Sequence, residues 1–532
     1  MNHPFDYKLP YQSNRQPLLA RNVVSTSQPL AAQAGLRMLL KGGSAVDAAL
    51  AAAIALTVTE PCSNGLGSDL FCILWDPGTR KLHGLNASGR SPAAWSPARF
   101  KGMATMPRTG WDTVTIPGCV SGWVALSQRF GKLPFEDLFA PGIDYARNGY
   151  LVSPIVATKW SNAVPIFRDV PGWADTFMPN GRAVATGELF RSEPMAATME
   201  KIAASKGESY YRGELAEKMA AHARSLGGAH TVDDFAAHTC DWVDPIGIDY
   251  RGTTIHEIPP NGQGIAALMA LGIVENFDMS SLPVDSPESL HLQVEAMKLA
   301  FADVYRYVSD PRTMTVTPAQ MLDKAYLRER SKLIDRRRAG SFTYGVPGNA
   351  GTVYLTAADE AGMMVSLIQS NYQGFGSGIV VPGTGISLQN RGSGFVLHAG
   401  HPNEVGGGKR PFHTIIPGFM TQNGAPVLSF GIMGGSMQPQ AHLQTMVRLL
   451  DHGQNPQACL DAPRWRVDPE HKLDLEPQAA PASRDGLEAL GHKLIAKYDA
   501  YMDFGAGQFI YKVDGGYVAG SDWRRDGQAV GY

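Results

Sequence analysis

The sequence predicts an α/β protein with a layered core of helices and strands. Helical periodicity dominates the first two-thirds of the 532-residue chain, whereas strand signals flank position 352. Hydrophobic residues make up 44% of the chain, which supplies a large core and excludes a disordered class. A chain of this length corresponds to three or four ordinary domains or to one unusually large domain.

Two helices open the predicted fold. The first covers residues 28–40, where apolar residues recur at four-residue spacing, and Lys41-Gly42-Gly43 ends it. Ser44 and Asp47 form a capping-box-like start for a second, alanine-rich helix. Because an alanine face lets another backbone approach closely, we place the second helix in the core.

Strands are predicted further along the chain. Residues 70–75 form a continuous apolar run after a glycine-bearing loop, which favours a buried strand. Residues 352–359 and 363–370, joined by a glycine turn, predict a β-hairpin. Further helices are expected from about Ser121, over residues 134–149 and over residues 289–308.

Charge and cysteine content exclude several function classes. Lys plus Arg number 47 and Asp plus Glu 49, giving a net charge of −2, so a general nucleic-acid or anionic-membrane binder is not expected. The five cysteines include no CxxC pair, which argues against a disulfide scaffold or a cysteine zinc site. The longest small-apolar stretch, Ala48 to Val58, is too short for the ~20 residues of a membrane span. No signal peptide is recognised at the N-terminus, so the expected compartment is the cytoplasm.

Several motifs that would carry a cofactor or a metal fail on inspection. Residues 374–378 do not match GxGxxG, and residues 406–410 place arginine where a phosphate loop needs serine or threonine. His291 and Glu295 lie one helical turn apart, but two ligands are too few for a metal site, and a surface hydrogen bond or packing pair is favoured. We therefore predict no cofactor and no metal.

A set of short motifs in a fixed order resembles the gamma-glutamyltranspeptidases, or glutathione hydrolases, of the N-terminal nucleophile superfamily. The resemblance extends over nearly the whole chain. The motifs are Gly42 to Ala49, Ile116-Pro117-Gly118, Pro259 to Gly264, Phe375 to Gly378, Pro382 to Ile386, Lys409-Arg410-Pro411 and Gly434-Gly435. The resemblance implies a four-layer αββα sandwich and an inactive precursor that cuts itself.

The same resemblance identifies Thr352 as the nucleophile and Gly351–Thr352 as the cleavage site. Cleavage would give a large subunit of residues 1–351 and a small subunit of residues 352–532, intertwined in one domain, with a homo-oligomer of this heterodimer as a further candidate state. A threonine hydroxyl needs a base, and a free α-amino group, with a pKa of ~7.7–8.0, supplies one on the same residue.

Matching residues are expected to complete the site. Gly434 and Gly435 align with the glycines whose backbone N–H groups form the oxyanion hole, since glycine permits close approach. Ser370 and Tyr372 align with polar residues at the end of the second hairpin strand and alternate onto one face. A one-residue bulge would bring Asn371 into the site instead.

The substrate-binding positions depart from the family pattern. The aspartate that holds the substrate's α-amino group is replaced by Gly394, and Arg391 appears three positions earlier. The serine pair that holds the α-carboxylate becomes His413-Thr414, and the carboxylate-binding arginine is matched only by Arg90, two residues late. The pocket therefore loses a carboxylate and gains a cation, which favours a substrate carboxylate over an ammonium.

These observations predict a self-processing threonine amidohydrolase that hydrolyses the amide bond of a small carboxylate-bearing substrate. The expected substrate is a γ-glutamyl compound such as glutathione, or an amine-free analogue such as oxamate. The alternatives are a glutaryl or cephalosporin-type acylase and a non-catalytic relative that keeps the fold for binding. No partner beyond the small-molecule amide and the two subunits is expected.

Overall fold

Two seven-stranded antiparallel sheets form the centre of the molecule, a computed structural model that describes residues 15–342, 351–495 and 504–532, with only the backbone of Gly351 and Thr352. In spatial order, the first sheet contains Leu18–Ala20, Gly516–Ser521, Gly507–Val513, Ala425–Ile432, Gly418–Gln422, Thr253–Glu257 and Ile246–Tyr250. The second contains Gln528–Gly531, Val23–Thr26, Gly351–Ala358, Met364–Tyr372, Asp69–Asp76, Lys81–Ala87 and Asp241–Val243. Smaller sheets pair Val380–Val381 with Ile386–Ser387, join Trp465–Val467, Lys472–Leu475 and Lys493–Ile495, and pair Tyr150–Leu151 with Leu189–Phe190.

Helices cover the outer face of each sheet. In the described ranges, ten helices contribute buried residues to the core beside the second sheet: Pro29–Leu40, Ala45–Thr59, Cys119–Phe130, Ala140–Asn148, Pro154–Phe167, Trp173–Phe177, Glu193–Ser205, Glu208–Tyr211, Glu214–Ser225 and Val232–Ala236. Another seven of the described helices contribute to the core beside the first sheet: Gly264–Val274, Pro287–Tyr307, Pro318–Met321, Lys324–Ser331, Met437–Met446, Pro456–Asp461 and Pro481–Ala489.

A third apolar cluster lies between the two sheets and holds their inner faces together. It includes Phe71 and Tyr354 from the second sheet and Phe419 and Ile510 from the first. The order helix, sheet, sheet, helix is the predicted four-layer αββα sandwich, which is thereby confirmed. Strands from both sides of position 351 occur in each sheet, so the two expected subunits share one fold.

The helix Ala45–Thr59 occupies the position that its composition predicts. Every one of its residues is buried, because its alanines let it lie between the second sheet and neighbouring helices. The capping box of Ser44 and Asp47 is present, and the Asp47 carboxylate also accepts hydrogen bonds from the backbone N–H groups of Lys132 and Leu133. The predicted cap therefore also fixes a neighbouring loop.

The central hairpin contains an irregularity at its first residues. Gly351 pairs with Tyr372 and Val353 pairs with Gln369, so two residues, Ser370 and Asn371, lie opposite Thr352. This is the geometry of a β-bulge, which bends the strand and re-aims side chains. The predicted hairpin is confirmed, and its bulge falls beside the predicted nucleophile.

Candidate active site

Loops from neighbouring strands converge at one edge of the first sheet. Thr253–Glu257, Gly418–Gln422 and Ala425–Ile432 are antiparallel neighbours. The end of the first, the start of the second and the end of the third therefore lie at the same edge. His413 and Thr414 precede Gly418, while the glycine pair follows Ile432, so two of the predicted motifs lie close together.

Arg391 lies in the short 3₁₀ helix Arg391–Gly394 and is 1% exposed. Its Nη1 donates a hydrogen bond of 2.8 Å to Thr414 Oγ1, and its guanidinium carbon lies 4.6 Å from the centroid of the Tyr372 ring. Its Nε and Nη2 have no hydrogen-bond partner within the described part of the chain. Burial lowers the pKa of Arg391 to about 10, against the opposing charge of Asp69, so the group stays cationic at neutral pH. Two donors of a buried cation are therefore available to an anionic ligand.

Asp69, which sequence reasoning missed, supplies the counter-charge of Arg391. It is the first residue of a core strand and is fully buried. One carboxylate oxygen accepts from the backbone N–H groups of Gly89 and Gly118, at 3.2 and 3.1 Å, and the other accepts from His413 Nε2 at 3.1 Å. Burial raises the pKa of Asp69 to about 7, and the nearby Arg391 charge opposes that rise. The only sequence signal was its place at the end of a glycine-bearing loop.

His413 is a neutral partner of this carboxylate. Burial lowers its pKa well below the ordinary value, and the charge of Arg391 lowers it further. The backbone N–H of Ile415 donates to Nδ1 at 3.3 Å, so the proton of the neutral ring lies on Nε2 and is donated to Asp69. Each oxygen of Asp69 thus has a donor inside the protein, and the carboxylate is fully buried beside His413.

Gly434 and Gly435 form a turn between the strand Ala425–Ile432 and the helix Met437–Met446. Their φ angles are +122° and +62°, which glycine adopts without strain. A Cβ on Gly434 would lie 2.9 Å from the Cα of Gly505, so a side chain is also excluded by space. Among the described residues, no acceptor is seen for either backbone N–H. Such N–H groups at a helix start suit an oxyanion.

Ser370, Asn371 and Tyr372 end the second hairpin strand and are all buried. The Tyr372 N–H donates to Ser370 Oγ at 2.8 Å, and Tyr372 has a φ of +78°. This local turn directs the Tyr372 ring against Arg391. Asn371 Oδ1 accepts from Ser68 Oγ at 2.8 Å, whereas Nδ2 has no partner in the described ranges. The bulge thus places Ser370 and Asn371 opposite Thr352, whose side chain lies outside the described atoms, and places Tyr372 opposite Gly351.

Comparison with known proteins agrees with this geometry. The sequence model of the family described as gamma-glutamyltranspeptidase matches residues 31–532. The chain belongs to this family. It is accordingly a hydrolase of the N-terminal nucleophile amidohydrolase type, as the resemblance predicted.

Relatives of this family member differ in their named substrates. The chain is 34% identical to the glutathione hydrolase-like YwrD proenzyme of Bacillus subtilis, over 97% of this chain and 100% of that protein. It is 34% identical to the oxamate amidohydrolase proenzyme of Klebsiella pneumoniae, over 94% of this chain and 97% of that protein. The crystal structure of cephalosporin acylase from Bacillus halodurans superposes with a TM-score of 0.95 at 46% identity, covering 100% of this chain and 99% of that one. The proenzyme names indicate precursors that are processed.

Arg90, predicted as a substrate ligand of this family member, is placed in a different cluster. Its Nη2 lies 3.4 Å from the carboxylate of Asp241, which also pairs with Arg410. It lines a cleft of about 440 Å³ together with Ile116 and His238. The structure shows the Arg90 side chain paired with Asp241, and no contact of Arg90 with Arg391 or Thr414 is seen in the described ranges.

Gly394, where the family pattern has an aspartate, lies too close to a neighbouring loop for any side chain. A Cβ built there would lie 2.6 Å from the carbonyl oxygen of Phe412. The Gly394 carbonyl also accepts a hydrogen bond from Asn403 Nδ2 at 2.6 Å. An aspartate at this position would require the loop to move, so the loss of the acidic residue is part of the backbone geometry.

Of the described residues, one cluster has the composition of a metal site. His291, Glu295 and His492 have ligand atoms within 4.8 Å of one another. The Glu295 carboxylate accepts from Lys298 Nζ and from the backbone N–H of Gly340, both at 2.7 Å. His291 bonds to His492 at 2.8 Å and to the carbonyl of Asp335 at 2.9 Å. These partners account for the cluster as a buried hydrogen-bond network. The expected surface position of His291 and Glu295 is wrong, because both are fully buried on the helix Pro287–Tyr307. In the described ranges, no helix is both long and apolar enough to cross a membrane.

Proposed function

We propose that this chain is a self-processing threonine amidohydrolase whose acyl substrates end in a carboxylate and carry no adjacent ammonium. The observation that carries the proposal is the buried guanidinium of Arg391, with two nitrogen atoms that lack partners among the described residues. A planar carboxylate can accept from both at once. Thr414 accepts a hydrogen bond from Nη1 of the same arginine and thereby fixes the orientation of the guanidinium group.

The mechanism proceeds through a covalent acyl-enzyme. In the precursor, the Thr352 hydroxyl attacks the carbonyl of Gly351, and the C–N bond breaks, which frees the α-amine of Thr352 and leaves an ester. Water then hydrolyses this ester, which gives the Gly351 carboxylate and restores the Thr352 hydroxyl. In the mature enzyme that amine accepts the hydroxyl proton while the oxygen attacks the substrate amide carbon. The backbone N–H groups of Gly434 and Gly435 stabilise the oxyanion. The proton then passes to the leaving amine, and water hydrolyses the acyl-enzyme.

The absence of an ammonium from the substrate follows from two features of the pocket. Gly394 cannot carry the family's aspartate, because of the Phe412 carbonyl. Asp69, the carboxylate paired with His413, is fully buried, accepts three hydrogen bonds from the protein and has Arg391 as its counter-charge. A γ-glutamyl ammonium would therefore be desolvated without a partner. Oxamate-type and glutaryl-type amides avoid that cost, in line with relatives named for oxamate and cephalosporin substrates.

A second candidate is hydrolysis of γ-glutamyl compounds such as glutathione. It is favoured by the glutathione hydrolase-like relative, which the chain matches over nearly its full length. The two candidates share the nucleophile and the oxyanion hole, and differ only in whether the pocket tolerates the ammonium.

The assignment of the nucleophile is tested by substitution of Thr352. We expect Thr352→Ala to remain a single chain on a denaturing gel and to hydrolyse no amide, because no hydroxyl can attack Gly351. Thr352→Ser keeps a hydroxyl and should still give two chains, the second beginning at residue 352 on N-terminal sequencing. Processing of the alanine variant at this bond would overturn the assignment. An uncut wild-type chain without hydrolase activity would instead identify a non-catalytic relative.

A further inference from the structure

Gln263 joins two parts of the site that bind opposite ends of the substrate. It lies immediately before the helix Gly264–Val274 and is fully buried. Its side-chain Nε2 donates one hydrogen bond of 2.7 Å to the carbonyl of Thr414 and another of 2.7 Å to the carbonyl of Gly435. Its backbone N–H also donates to the carbonyl of His413 at 2.9 Å. One residue thus holds both loops.

The two loops have distinct tasks in the proposed function. Thr414 orients Arg391, which binds the substrate carboxylate, whereas Gly435 contributes an N–H to the oxyanion hole. They leave adjacent strands at the same sheet edge, but no backbone hydrogen bond between Thr414 and Gly435 is seen in the described ranges. The Gln263 amide therefore supplies a direct tie between them.

The chemistry of the amide shows which of its groups is needed. An amide –NH₂ has two hydrogens, which match the two carbonyl acceptors. Its Oε1 is buried and has no partner in the part of the chain that the structure describes, an arrangement that normally costs stability. The residue is thus held by its two donors, which a glutamate or an apolar side chain of the same size cannot both provide.

We infer that Gln263 is a positioning residue that fixes the spacing between the carboxylate-binding end and the oxyanion end of the site. It thereby sets the length of the acyl group that is hydrolysed. The inference rests on the proposed function. A rigid spacing selects the acyl chain whose carboxylate and scissile carbonyl fit both ends together.

The test compares kcat and KM of wild type, Gln263→Met and Gln263→Glu on p-nitroanilides of oxalic, succinic, glutaric and adipic acids. Wild type should show a clear optimum at one acyl length. Both variants should lose about tenfold or more in kcat on that optimal substrate and less on the others, so the length profile flattens, while KM changes little. Self-cleavage and the melting temperature verify that each variant folds. If Gln263→Met does not fold, the comparison is made with the isosteric Gln263→Glu variant alone.

Gln444→Met is the matched control. Gln444 is also buried and also donates through Nε2 to two carbonyls, those of Gln440 and Trp465, both at 3.0 Å. It should leave the length profile unchanged. A length profile in the Gln263 variants that matches wild type, or an equal loss on all four substrates, would overturn the inference while leaving the proposed function intact. Wild type inactive on all four substrates would overturn the proposed function, and this inference with it.

Discussion

Two buried arginines of this molecule have opposite surroundings. Arg524, fully buried, donates from Nε and Nη2 to Glu476 and from Nη1 to Asp522, and it also bonds to the carbonyls of Leu460 and Ala462. Arg391, equally buried, makes one hydrogen bond, to Thr414, and leaves Nε and Nη2 without partners in the described ranges. The carboxylate partners raise the pKa of Arg524 against desolvation, whereas burial lowers the pKa of Arg391 to about 10.

The difference in partners distinguishes Arg524, a cation that stabilises the fold, from Arg391, a cation that is available to bind a ligand. Desolvating a charge is costly unless partners replace the lost water. The chain supplies those partners in full to Arg524 but only in part to Arg391. A cation left with open donors next to an oxyanion site contributes little to stability and has its partner supplied by the substrate. Substitutions at the two arginines should therefore have opposite effects on stability and on activity.

Arg524→Met should destabilise the fold strongly. It leaves Glu476 without its side-chain cation and removes one of two arginines from Asp522, since Arg464 also pairs with that residue at 2.6 Å. Removing one member of a buried ion pair costs about 3–5 kcal/mol. The free energy of unfolding from urea denaturation of the mature protein measures the effect. Unchanged stability would mean that Arg524 is no more structural than Arg391.

Arg391→Met should show the reverse pattern. The melting temperature should fall less than in Arg524→Met, because Arg391 makes one hydrogen bond and Asp69 keeps its donors from Gly89, Gly118 and His413, and self-cleavage should proceed. kcat/KM for a glutaryl anilide should fall by about 30-fold or more, which corresponds to the lower end of the about 2–5 kcal/mol lost with a buried charge pair. The neutral butyryl anilide serves as control and should be hydrolysed as by wild type. Equal losses of kcat/KM on both substrates would show that Arg391 does not bind the substrate carboxylate.

Arg391→Lys should have an intermediate effect. An ammonium keeps the charge but cannot present two parallel N–H donors to a planar carboxylate. We expect about a tenfold loss of kcat/KM on the glutaryl anilide, about 1.4 kcal/mol, mainly through KM. Full activity of the lysine variant would show that charge alone, without the fork geometry, binds the substrate.

The smallest expected effect is a pH dependence of KM caused by Asp69. Its pKa is raised to about 7, so the carboxyl is ionised above that pH and repels the substrate carboxylate, whereas below it the carboxyl is protonated and the repulsion disappears. KM for the glutaryl anilide should therefore fall by about threefold, about 0.6 kcal/mol, as the pH decreases from 8 to 6. The butyryl anilide should show no such trend. A KM that rises as the pH falls would contradict the role given to Asp69.

Much of the fold was predictable from the sequence, because its signals are local. The alanine-rich helix, its Ser44 cap and the hairpin that begins at Gly351 each follow from patterns between residues close in the sequence. The pairing of strands in the two sheets was not predictable from such local patterns, because strands as distant in sequence as Val23–Thr26 and Gln528–Gly531 are neighbours. Only the family resemblance predicted the four-layer arrangement.

The site was predictable only in part, for a similar reason. Arg391 and Thr414 were identified by position in the motifs, and the structure places them in contact. Asp69 was missed because it meets His413 across 344 residues, and no local pattern encodes such a contact. Arg90 was expected among the substrate ligands, but its pairing with Asp241 depends on a distant strand.

The central claim is that the open donors of Arg391, without an acidic partner for an ammonium, select amine-free acyl groups. The most direct measurement is kcat/KM of the mature wild-type enzyme on a matched pair, glutaryl p-nitroanilide and γ-glutamyl p-nitroanilide. An unpaired ammonium in the pocket should cost about 1.4 kcal/mol or more. We therefore expect kcat/KM to be about tenfold or more higher for the glutaryl substrate. A strong preference for the γ-glutamyl substrate would show that another group binds the ammonium, and the claim would be wrong.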